Sequence, residues 1–278
     1  MTSKIIFFDI DGTLINFGGD FPESAKEALR LAKANGHKIF LCTGRSKCQI
    51  EERLLEFGFD GFVSGAGAYV EYHGEEVFSN YMTKNQLSFL IDYLDSNDMI
   101  YLLQSTGSVI STQLCADTVY NNFKKNLKGD VPKNIKKIFS KQTIVDNIKE
   151  ECIECDTIEK ACYYNANLSL EEITEQLKDD YDVTAMSFND VRDSSGEITV
   201  KGVTKALGME KIVEFLGMTR EDTVAFGDGP NDFEMIEYAG TGVAMGNASD
   251  DLKEIADVVT THIAEDGIYN GMKKLNLI

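Results

Sequence analysis

The feature that most constrains the fold is an apolar segment near the start of the chain, "KIIFFDI" at residues 4–10. It shows no alternation of apolar and polar side chains, which is typical of a strand buried on both faces of a parallel sheet. The run ends abruptly in the polar sequence "DGT" at residues 11–13. The segment therefore predicts a central parallel strand that leads directly into a polar loop.

Strand and helix patterns alternate after this segment. Residues 23–35 carry alanine and leucine at helical spacing, and Gly36 is well placed to end that helix. The sequence "HKIFLC" predicts a second strand, residues 47–57 a further helix, and His73-Gly74 a hairpin turn. The alternation resumes at Gly202. This order predicts the α/β class, with a doubly wound, Rossmann-like parallel sheet and right-handed crossovers.

The middle of the chain has a different pattern. Helices and strands are mixed there, with helices predicted at 85–95, 116–127 and 170–179 and strands at 100–104, 109–112 and 159–165. A chain of 278 residues is also long enough for two cores. We therefore expect a core formed by residues 1–82 and 189–278 and an inserted α+β domain at residues 83–188.

Charge and hydropathy exclude several classes of partner. The formal net charge is -19, which opposes binding to nucleic-acid phosphates or to anionic lipid. No apolar run approaches the roughly 20 residues that cross a bilayer. The six cysteines form no dense framework, so we interpret them as reduced thiols, including the Cys152 and Cys155 pair. We expect a cytoplasmic protein that binds neither nucleic acid nor membrane; its oligomeric state is not predicted.

Three predicted strands end in polar groups, in "FFDIDGT", "FLCTGR" and "VAFGDGPND". Ligands of open α/β sheets bind at the carboxyl ends of the strands, so these groups are expected to converge. The convergence would cluster four carboxylates, those of Asp9, Asp11, Asp228 and Asp232. Two like charges about 4 Å apart repel by roughly 4 kcal/mol even at an effective dielectric near 20. Such a cluster predicts a bound cation, and oxygen ligands favour Mg²⁺.

These residue types suit phosphoryl transfer. A carboxylate can accept a phosphoryl group, and Asp9 at the end of the first strand is the candidate nucleophile. Asp11 could protonate the leaving alcohol and then take a proton from the attacking water. Thr43 offers a hydroxyl and, with Gly44, backbone donors for phosphate oxygens, while a lysine would stabilise the spread charge.

Four ordered motifs carry a resemblance to a known family: "DIDGT", "CTGR", "GVTKALGM" and "GDGPNDFEMIEYAG…GVAMGNA". They resemble the haloacid dehalogenase superfamily, specifically its Cof-type phosphatases of subfamily IIB. The long insertion lies between the second and third motifs, where that subfamily carries a C2-type cap. The match covers nearly the whole core, and it implies a cap domain at residues 83–188.

The resemblance also implies a role for each motif residue. Asp9 would be the nucleophile and a metal ligand, and Asp11 the acid/base with its carbonyl on the metal. The phosphate would be bound by Thr43, Gly44, Asn231 and the motif-three lysine, Lys205. Asp228 would bind the metal directly and Asp232 through its water shell. Lys201 competes for the lysine role, but "GVTK" before a helix favours Lys205.

The second aspartate, Asp11, indicates a phosphatase or phosphomutase, because the family's dehalogenases and transport ATPases lack it. One departure concerns residues 64–68, which read "SGAGA" where similar proteins often read "SNGA". The leading hypothesis is an Mg²⁺-dependent phosphatase that acts on small phosphorylated metabolites through an aspartyl-phosphate. A phosphomutase, a phospho-accepting signalling receiver and a non-catalytic binding protein remain as alternatives.

The cap is expected to set substrate specificity. The lysines of "FKKNLKGDVPKNIKKIF" at residues 123–139 could attract an anionic substrate, but a solvated face is the preferred interpretation. Tyr163, Tyr164 and Asn165 could line a pocket, with core packing the preferred interpretation for the two tyrosines.

Overall fold

The computed structural model describes residues 3–126, 142–186 and 195–278. The chain divides into two compact units. The larger, called the core unit, comprises Met1–Gly44, Glu52–Ser79 and Thr204–Ile278, and the smaller, called the cap unit, comprises Arg45–Glu51 and Asn80–Val203. The domain boundaries expected from the sequence, 82/83 and 188/189, stay a prediction, and residue 188 lies outside the described ranges.

The core unit is built on an eight-stranded sheet. Numbered along the whole chain, its strands are β1 (Ile5–Phe8), β2 (Lys38–Cys42), β3 (Gly61–Ser64), β4 (Tyr69–Tyr72), β5 (Glu75–Ser79), β12 (Thr223–Gly227), β13 (Thr241–Ala244) and β14 (Val258–Val259). Their order in the sheet is β14-β13-β12-β1-β2-β3-β4-β5. The strands from β14 to β3 are parallel, and β4 and β5 continue the sheet as antiparallel strands.

Strand β1 lies at the centre of this sheet, as its apolar sequence predicts. All four of its side chains are buried, with Ile5 and Phe7 in the same apolar cluster and Phe8 stacked on Phe226 at a centroid distance of 5.2 Å. Helices cover the sheet, and their bounds are Glu23–Ala34, Glu52–Leu55, Lys205–Leu216, Phe233–Tyr238, Asp250–Ile255 and Gly267–Lys274. The doubly wound α/β class predicted from the sequence is confirmed.

Two local predictions have different outcomes. The hairpin turn at His73-Gly74 is confirmed, because both residues have positive φ (48° and 86°) between the paired strands β4 and β5. The helix expected over residues 47–57 is wrong. Buried Ile50 has extended backbone there (φ -65°, ψ 130°), so the segment forms a 3₁₀ turn, Lys47–Gln49, and a single helical turn, Glu52–Leu55.

The cap unit contains a second, mainly antiparallel sheet. Its strands are β6 (Ile100–Ser105), β7 (Val109–Ser111), β8 (Gln142–Ile144), β9 (Ile158–Tyr164), β10 (Tyr181–Ala185) and β11 (Gly196–Val200). Their order is β10-β11-β9-β6-β7-β8, in which only the pair β7 and β8 is parallel. Within the described ranges, the helices of this unit are Lys84–Ser96, Gln113–Asn126, Ile148–Cys152 and Leu170–Leu177.

Several sequence interpretations concern the cap unit. Tyr163 and Tyr164 are buried in β9, and Tyr164 packs in an apolar cluster, as the core-packing interpretation expects. Most of the lysine-rich segment lies outside the described residues. All six cysteines are described, and none forms a disulfide. Among the helices that the structure describes, none combines the length and the apolar character that crossing a bilayer requires.

Candidate active site

The candidate site lies at the carboxyl edge of the core sheet, where neighbouring parallel strands end. Asp9 directly follows β1, Thr43 follows β2 and Asp228 follows β12, and these strands are adjacent in the order β12-β1-β2. The backbone N–H of Asp9 donates to Phe226 O at 3.0 Å and so continues the strand pairing as far as the site. The topology therefore brings together the polar groups that follow separate strands in the sequence.

Lys205 joins two of the carboxylates. Its Nζ lies 2.6 Å from Asp9 Oδ1 and 2.6 Å from Asp232 Oδ1, and all three residues are buried. The other oxygen of Asp232 accepts the backbone N–H groups of Asp228 and Gly229, each at 2.9 Å. Asp232 is thus fixed on both oxygens and holds Lys205 against Asp9.

Asp228 is oriented by side chains other than Lys205. Its Oδ1 accepts a hydrogen bond from Thr13 Oγ1 at 2.7 Å, and its Oδ2 lies 3.3 Å from Asn247 Nδ2. Gly12 approaches it so closely that a Cβ at that position would lie 2.1 Å from Asp228 Oδ2, and its φ of +94° also favours glycine. The glycine of "DGT" is therefore required both by its backbone conformation and by the carboxylate beside it.

Burial makes the ionised carboxylates costly. Desolvation raises the pKa of Asp9 to about 7, with Asp232 and Asp11 adding to the rise and Lys205 opposing it. Desolvation and the carboxylates of Asp9 and Asp232 raise the pKa of Asp228 to about 8. Burial alone would lower the pKa of Lys205, but Asp232 and Asp9 outweigh it and keep that pKa above its ordinary value. One ammonium does not balance the negative charge of this cluster.

The donor set fits a hard divalent cation. Asp9, Asp228 and Asp232 each offer a carboxylate oxygen, and these atoms lie within 4.8 Å of one another. Oxygen-only donors with surplus negative charge are the ligands that Mg²⁺ prefers. Among the residues that the structure describes, this is the one cluster of metal-ligand side chains found. The sequence predicted that the carboxylate of Asp11 also belongs to this cluster, which is wrong: Asp11 is half-buried and its side chain is not among the grouped ligands. The resemblance implies that its backbone carbonyl binds the metal.

The predicted phosphate-binding residues lie at the ends of β2 and β12. Thr43 is buried, and its backbone N–H donates to Val63 O at 2.9 Å. That N–H is therefore engaged in the sheet, and the side-chain hydroxyl of Thr43 and the backbone N–H of Gly44 remain the predicted phosphate donors. Gly44 follows Thr43, and Asn231 lies in the 3₁₀ turn Pro230–Asp232 after β12; both are half-buried.

The two competing lysines differ in their surroundings. Lys205 begins the helix Lys205–Leu216 and reaches Asp9 and Asp232, as described above. Lys201 is largely exposed in the cap unit, where its Nζ donates to Lys178 O at 2.6 Å. The structure therefore places Lys205 among the carboxylates.

The unusual sequence "SGAGA" forms a tight turn beside that helix. Ala66 adopts a left-handed conformation (φ 57°), and a Cβ at Gly67 would lie 2.0 Å from Thr204 O. The turn thus allows the backbone that precedes Lys205 to approach closely. Thr13 and Asn247 also lie inside the quoted motifs, but the sequence predicted no role for them. A hydroxyl or an amide gives no local signal of its hydrogen-bond partner, which for both is Asp228, 215 and 19 residues away.

The fold and the site together define a class: a doubly wound α/β enzyme with an acidic site at the strand ends. A family model for haloacid dehalogenase-like hydrolases matches residues 6–272. The chain belongs to that family.

Within this family, the chain is similar to several proteins that are named phosphatases. The chain is 32% identical to a protein of Bacillus subtilis (strain 168) named "Putative phosphatase YkrA", over all of both chains. It is 29% identical to "5-amino-6-(5-phospho-D-ribitylamino)uracil phosphatase YcsE" of the same organism, over 97% of this chain and 94% of the relative. The solved structure of the subclass IIB sugar phosphatase BT4131 matches with a TM-score of 0.78 and 27% identity, over 99% of this chain and 100% of that one.

These similarities confirm the resemblance stated from the motifs. The protein is a phosphatase of the haloacid dehalogenase family, and it acts on small phosphorylated substrates.

Proposed function

We propose that this protein is an Mg²⁺-dependent phosphatase that hydrolyses small phosphorylated metabolites through an aspartyl-phosphate on Asp9. The observation that carries the proposal is the bridge from Lys205 Nζ to Asp9 Oδ1 and Asp232 Oδ1, each at 2.6 Å, within a buried carboxylate cluster. The contact favours the ionised, nucleophilic form of Asp9 at the end of the central strand.

The proposed metal ligands are the side chains of Asp9, Asp228 and Asp232 together with the backbone carbonyl of Asp11. The resemblance implies that Asp232 acts through a water, whereas its contact with Lys205 also gives it a second role as the partner that orients this lysine. When bound, Mg²⁺ would neutralise charge on the substrate phosphate and on the carboxylates.

The proposed reaction has two displacements at phosphorus. A carboxylate oxygen of Asp9 forms a bond to phosphorus while the bond to the leaving alkoxide breaks, and Asp11 gives that alkoxide a proton. Asp11 then takes a proton from water as the water attacks the aspartyl-phosphate, which releases inorganic phosphate and restores Asp9. Thr43, Gly44 and Asn231 would bind the phosphate oxygens, and Lys205 would offset their charge.

Sugar phosphates and phosphorylated cofactors or their precursors are the proposed substrate classes. They are supported by the relatives, since BT4131 is described as a sugar phosphatase and YcsE as a 5-amino-6-(5-phospho-D-ribitylamino)uracil phosphatase. The six cysteines without a disulfide support a reducing compartment, which makes the cytoplasm the proposed location.

The test measures phosphate release from an aryl phosphate and from a panel containing both substrate classes, with Mg²⁺ or with a chelator. We expect release that requires Mg²⁺ and is lost in Asp9→Asn. Asp250→Asn is the matched control, because it removes the same charge from an exposed helix start in the core unit. Brief incubation with labelled substrate should also trap label on the native protein but not on Asp9→Asn.

Other outcomes would contradict the proposal. Full activity in Asp9→Asn would mean a different nucleophile. Isomerised sugar phosphate without net release would indicate a phosphomutase, and a lasting phosphoaspartate without turnover would indicate a signalling receiver.

A further inference from the structure

Asp228 is oriented by neutral donors on both of its oxygens. Thr13 Oγ1 donates to Oδ1 at 2.7 Å, and Asn247 Nδ2 lies 3.3 Å from Oδ2. Neither contact neutralises the carboxylate, so both leave its charge available to a cation. The two contacts fix the rotation of the carboxylate plane, which determines where its remaining lone pairs point.

Asn247 makes this contact as one of three hydrogen bonds of its side-chain amide, which together are called the Asn247 fork. Its Nδ2 donates to Gly12 O at 2.8 Å in addition to Asp228, and its Oδ1 accepts the backbone N–H of Ile263 at 3.0 Å. The opposite amide orientation would face its oxygen towards two acceptor oxygens and its NH₂ towards a donor. The hydrogen-bond pattern therefore determines which way the amide points.

The fork joins three separate parts of the core unit. Gly12 lies in the loop that carries Asp9 and Asp11, Asp228 follows β12, and Ile263 begins a 3₁₀ turn near the end of the chain. Gly12 and Asp228 are already so close that no Cβ fits between them. Asn247 supplies the hydrogens that hold two oxygen-bearing groups, Gly12 O and Asp228 Oδ2, next to each other.

We propose that Asn247 is a positioning residue for the divalent cation: it fixes Asp228 and the loop after Asp9 in the geometry that binds the metal. The inference rests on the metal site of the proposed function. A purely structural role would instead be limited to anchoring Ile263. The two roles are separable, because the first needs the NH₂ group of the amide and the second needs only its oxygen.

Asn247→Asp makes that separation with a side chain of the same shape. Aspartate can still accept from Ile263 N–H, but it has no hydrogen for Gly12 O or Asp228 Oδ2. We expect Mg²⁺ affinity, measured by calorimetry without substrate, to fall by about 10- to 100-fold, the usual range for groups that orient metal ligands. Excess Mg²⁺ should restore kcat, so that the change appears in the KM for Mg²⁺.

Asn270→Asp is the matched control. Asn270 Nδ2 donates to Thr261 Oγ1 and Glu265 O, each at 2.9 Å, so it supports the same terminal turn without contacting Asp228. We expect this variant to bind Mg²⁺ with nearly native affinity. A similar loss in both variants would show that the turn, rather than the amide, matters and would overturn the proposal.

Asn247→Ala provides a second test without an added charge, and its expected result is also weaker Mg²⁺ binding. Circular dichroism of each variant establishes that it is folded before binding is compared. Native or tighter Mg²⁺ affinity in folded Asn247→Asp or Asn247→Ala would overturn the proposal. Because binding is measured without substrate, a native protein that binds Mg²⁺ but releases no phosphate would contradict the proposed function and leave this result standing.

Discussion

Each unit of the protein buries a lysine with carboxylates, but the two arrangements differ in charge balance. In the cap unit, Lys160 Nζ pairs with one carboxylate, Glu197 Oε2, at 2.7 Å. In the core unit, Lys205 serves two carboxylates at 2.6 Å, and Asp228 belongs to the same cluster. The first pair needs no further ion, whereas the second has more negative than positive charge. Surplus negative charge, rather than burial of charge alone, is what distinguishes the proposed metal site.

Replacing the buried lysine of each unit, Lys205 or Lys160, should give the largest difference in stability between the two units. Lys205→Met leaves three buried carboxylates without their ammonium, so we expect the free energy of unfolding in chelator to fall by about 3–5 kcal/mol. Phosphate release should be lost as well. Urea unfolding monitored by circular dichroism measures the stability.

Lys160→Met is the comparison variant for that prediction. Glu197 is 18% exposed and can recover some hydration, so we expect a smaller loss, about 1–3 kcal/mol. Equal losses in the two variants would contradict the distinction between a balanced pair and an overcharged cluster.

The charge surplus also predicts how stability depends on pH. Folding raises the pKa of Asp228 from 3.8 to about 8, chiefly through desolvation, so the folded state binds its proton more tightly than the unfolded state. The stability that protonated Asp228 contributes is fully present below about pH 4 and is lost as the pH rises through about 8. In chelator, Asp228→Asn should therefore stabilise the protein slightly at pH 5, where the unfolded carboxyl is already ionised, and on the order of 2–4 kcal/mol more at pH 9.

Thermal unfolding across that pH range, with and without Mg²⁺, measures the effect. The native protein should gain more from Mg²⁺ at pH 8 than at pH 5, because metal binding must displace bound protons. A constant difference between Asp228→Asn and the native protein over the whole range would contradict the assignment.

The sequence predicted the carboxylates of the core-unit cluster better than the hydrogen bonds that orient them. Asp9, Asp228 and Asp232 could be found because each follows an apolar strand or a glycine turn, patterns that are local in the chain. The fork made by Asn247 and the hydroxyl of Thr13 could not, because their partner Asp228 is 19 and 215 residues away. Their contacts depend on tertiary packing, which leaves no periodic signal.

The same limit applies to the fold. Long amphipathic helices such as Glu23–Ala34 and the buried strand β1 were predicted closely, since their own sequences determine them. The break at Ile50 was missed, because its burial overrides a local helical pattern. The short strand β8, Gln142–Ile144, was also missed: Gln142 is half-buried and the two residues after it are exposed, so this strand gives no alternation of buried and exposed side chains.

Replacing one glycine by alanine in each unit, Gly12 or Gly196, distinguishes an effect on metal binding from an effect on stability alone. A Cβ at Gly12 would lie 2.1 Å from Asp228 Oδ2, and one at Gly196 would lie 2.5 Å from Tyr163 OH and 2.7 Å from Thr184 O. We expect both alanine variants to lose about 1–3 kcal/mol of stability through overpacking. Only Gly12→Ala should also lose Mg²⁺ affinity, measured by calorimetry, because it displaces Asp228. Equal affinity in the two variants would contradict the proposal that Asp228 binds the metal.

The smallest expected effect concerns a further feature that the cap unit shares with the core unit, a buried carboxyl whose pKa is raised by desolvation. Glu159 is fully buried; Thr106 Oγ1 lies 3.2 Å from its Oε1, and within the described part of the chain its Oε2 has no hydrogen-bond partner. Desolvation raises its pKa from 4.5 to about 7, against the lowering effects of Thr106 and Lys160. Its contribution to stability is therefore present below about pH 4.5 and is lost as the pH rises through about 7.

Glu159→Gln should accordingly change stability little at pH 4.5 and be stabilising at pH 8, on the order of 1–2 kcal/mol. Glu171→Gln, on the exposed first turn of Leu170–Leu177, is the matched control and should show no such dependence. Mg²⁺ should leave the effect of Glu159→Gln unchanged, whereas it should abolish or reverse the stabilisation by Asp228→Asn. If Mg²⁺ changed the stability of the two variants by the same amount, the buried Glu159 could not be told apart from the carboxylate cluster. Surplus negative charge would then not identify the metal site.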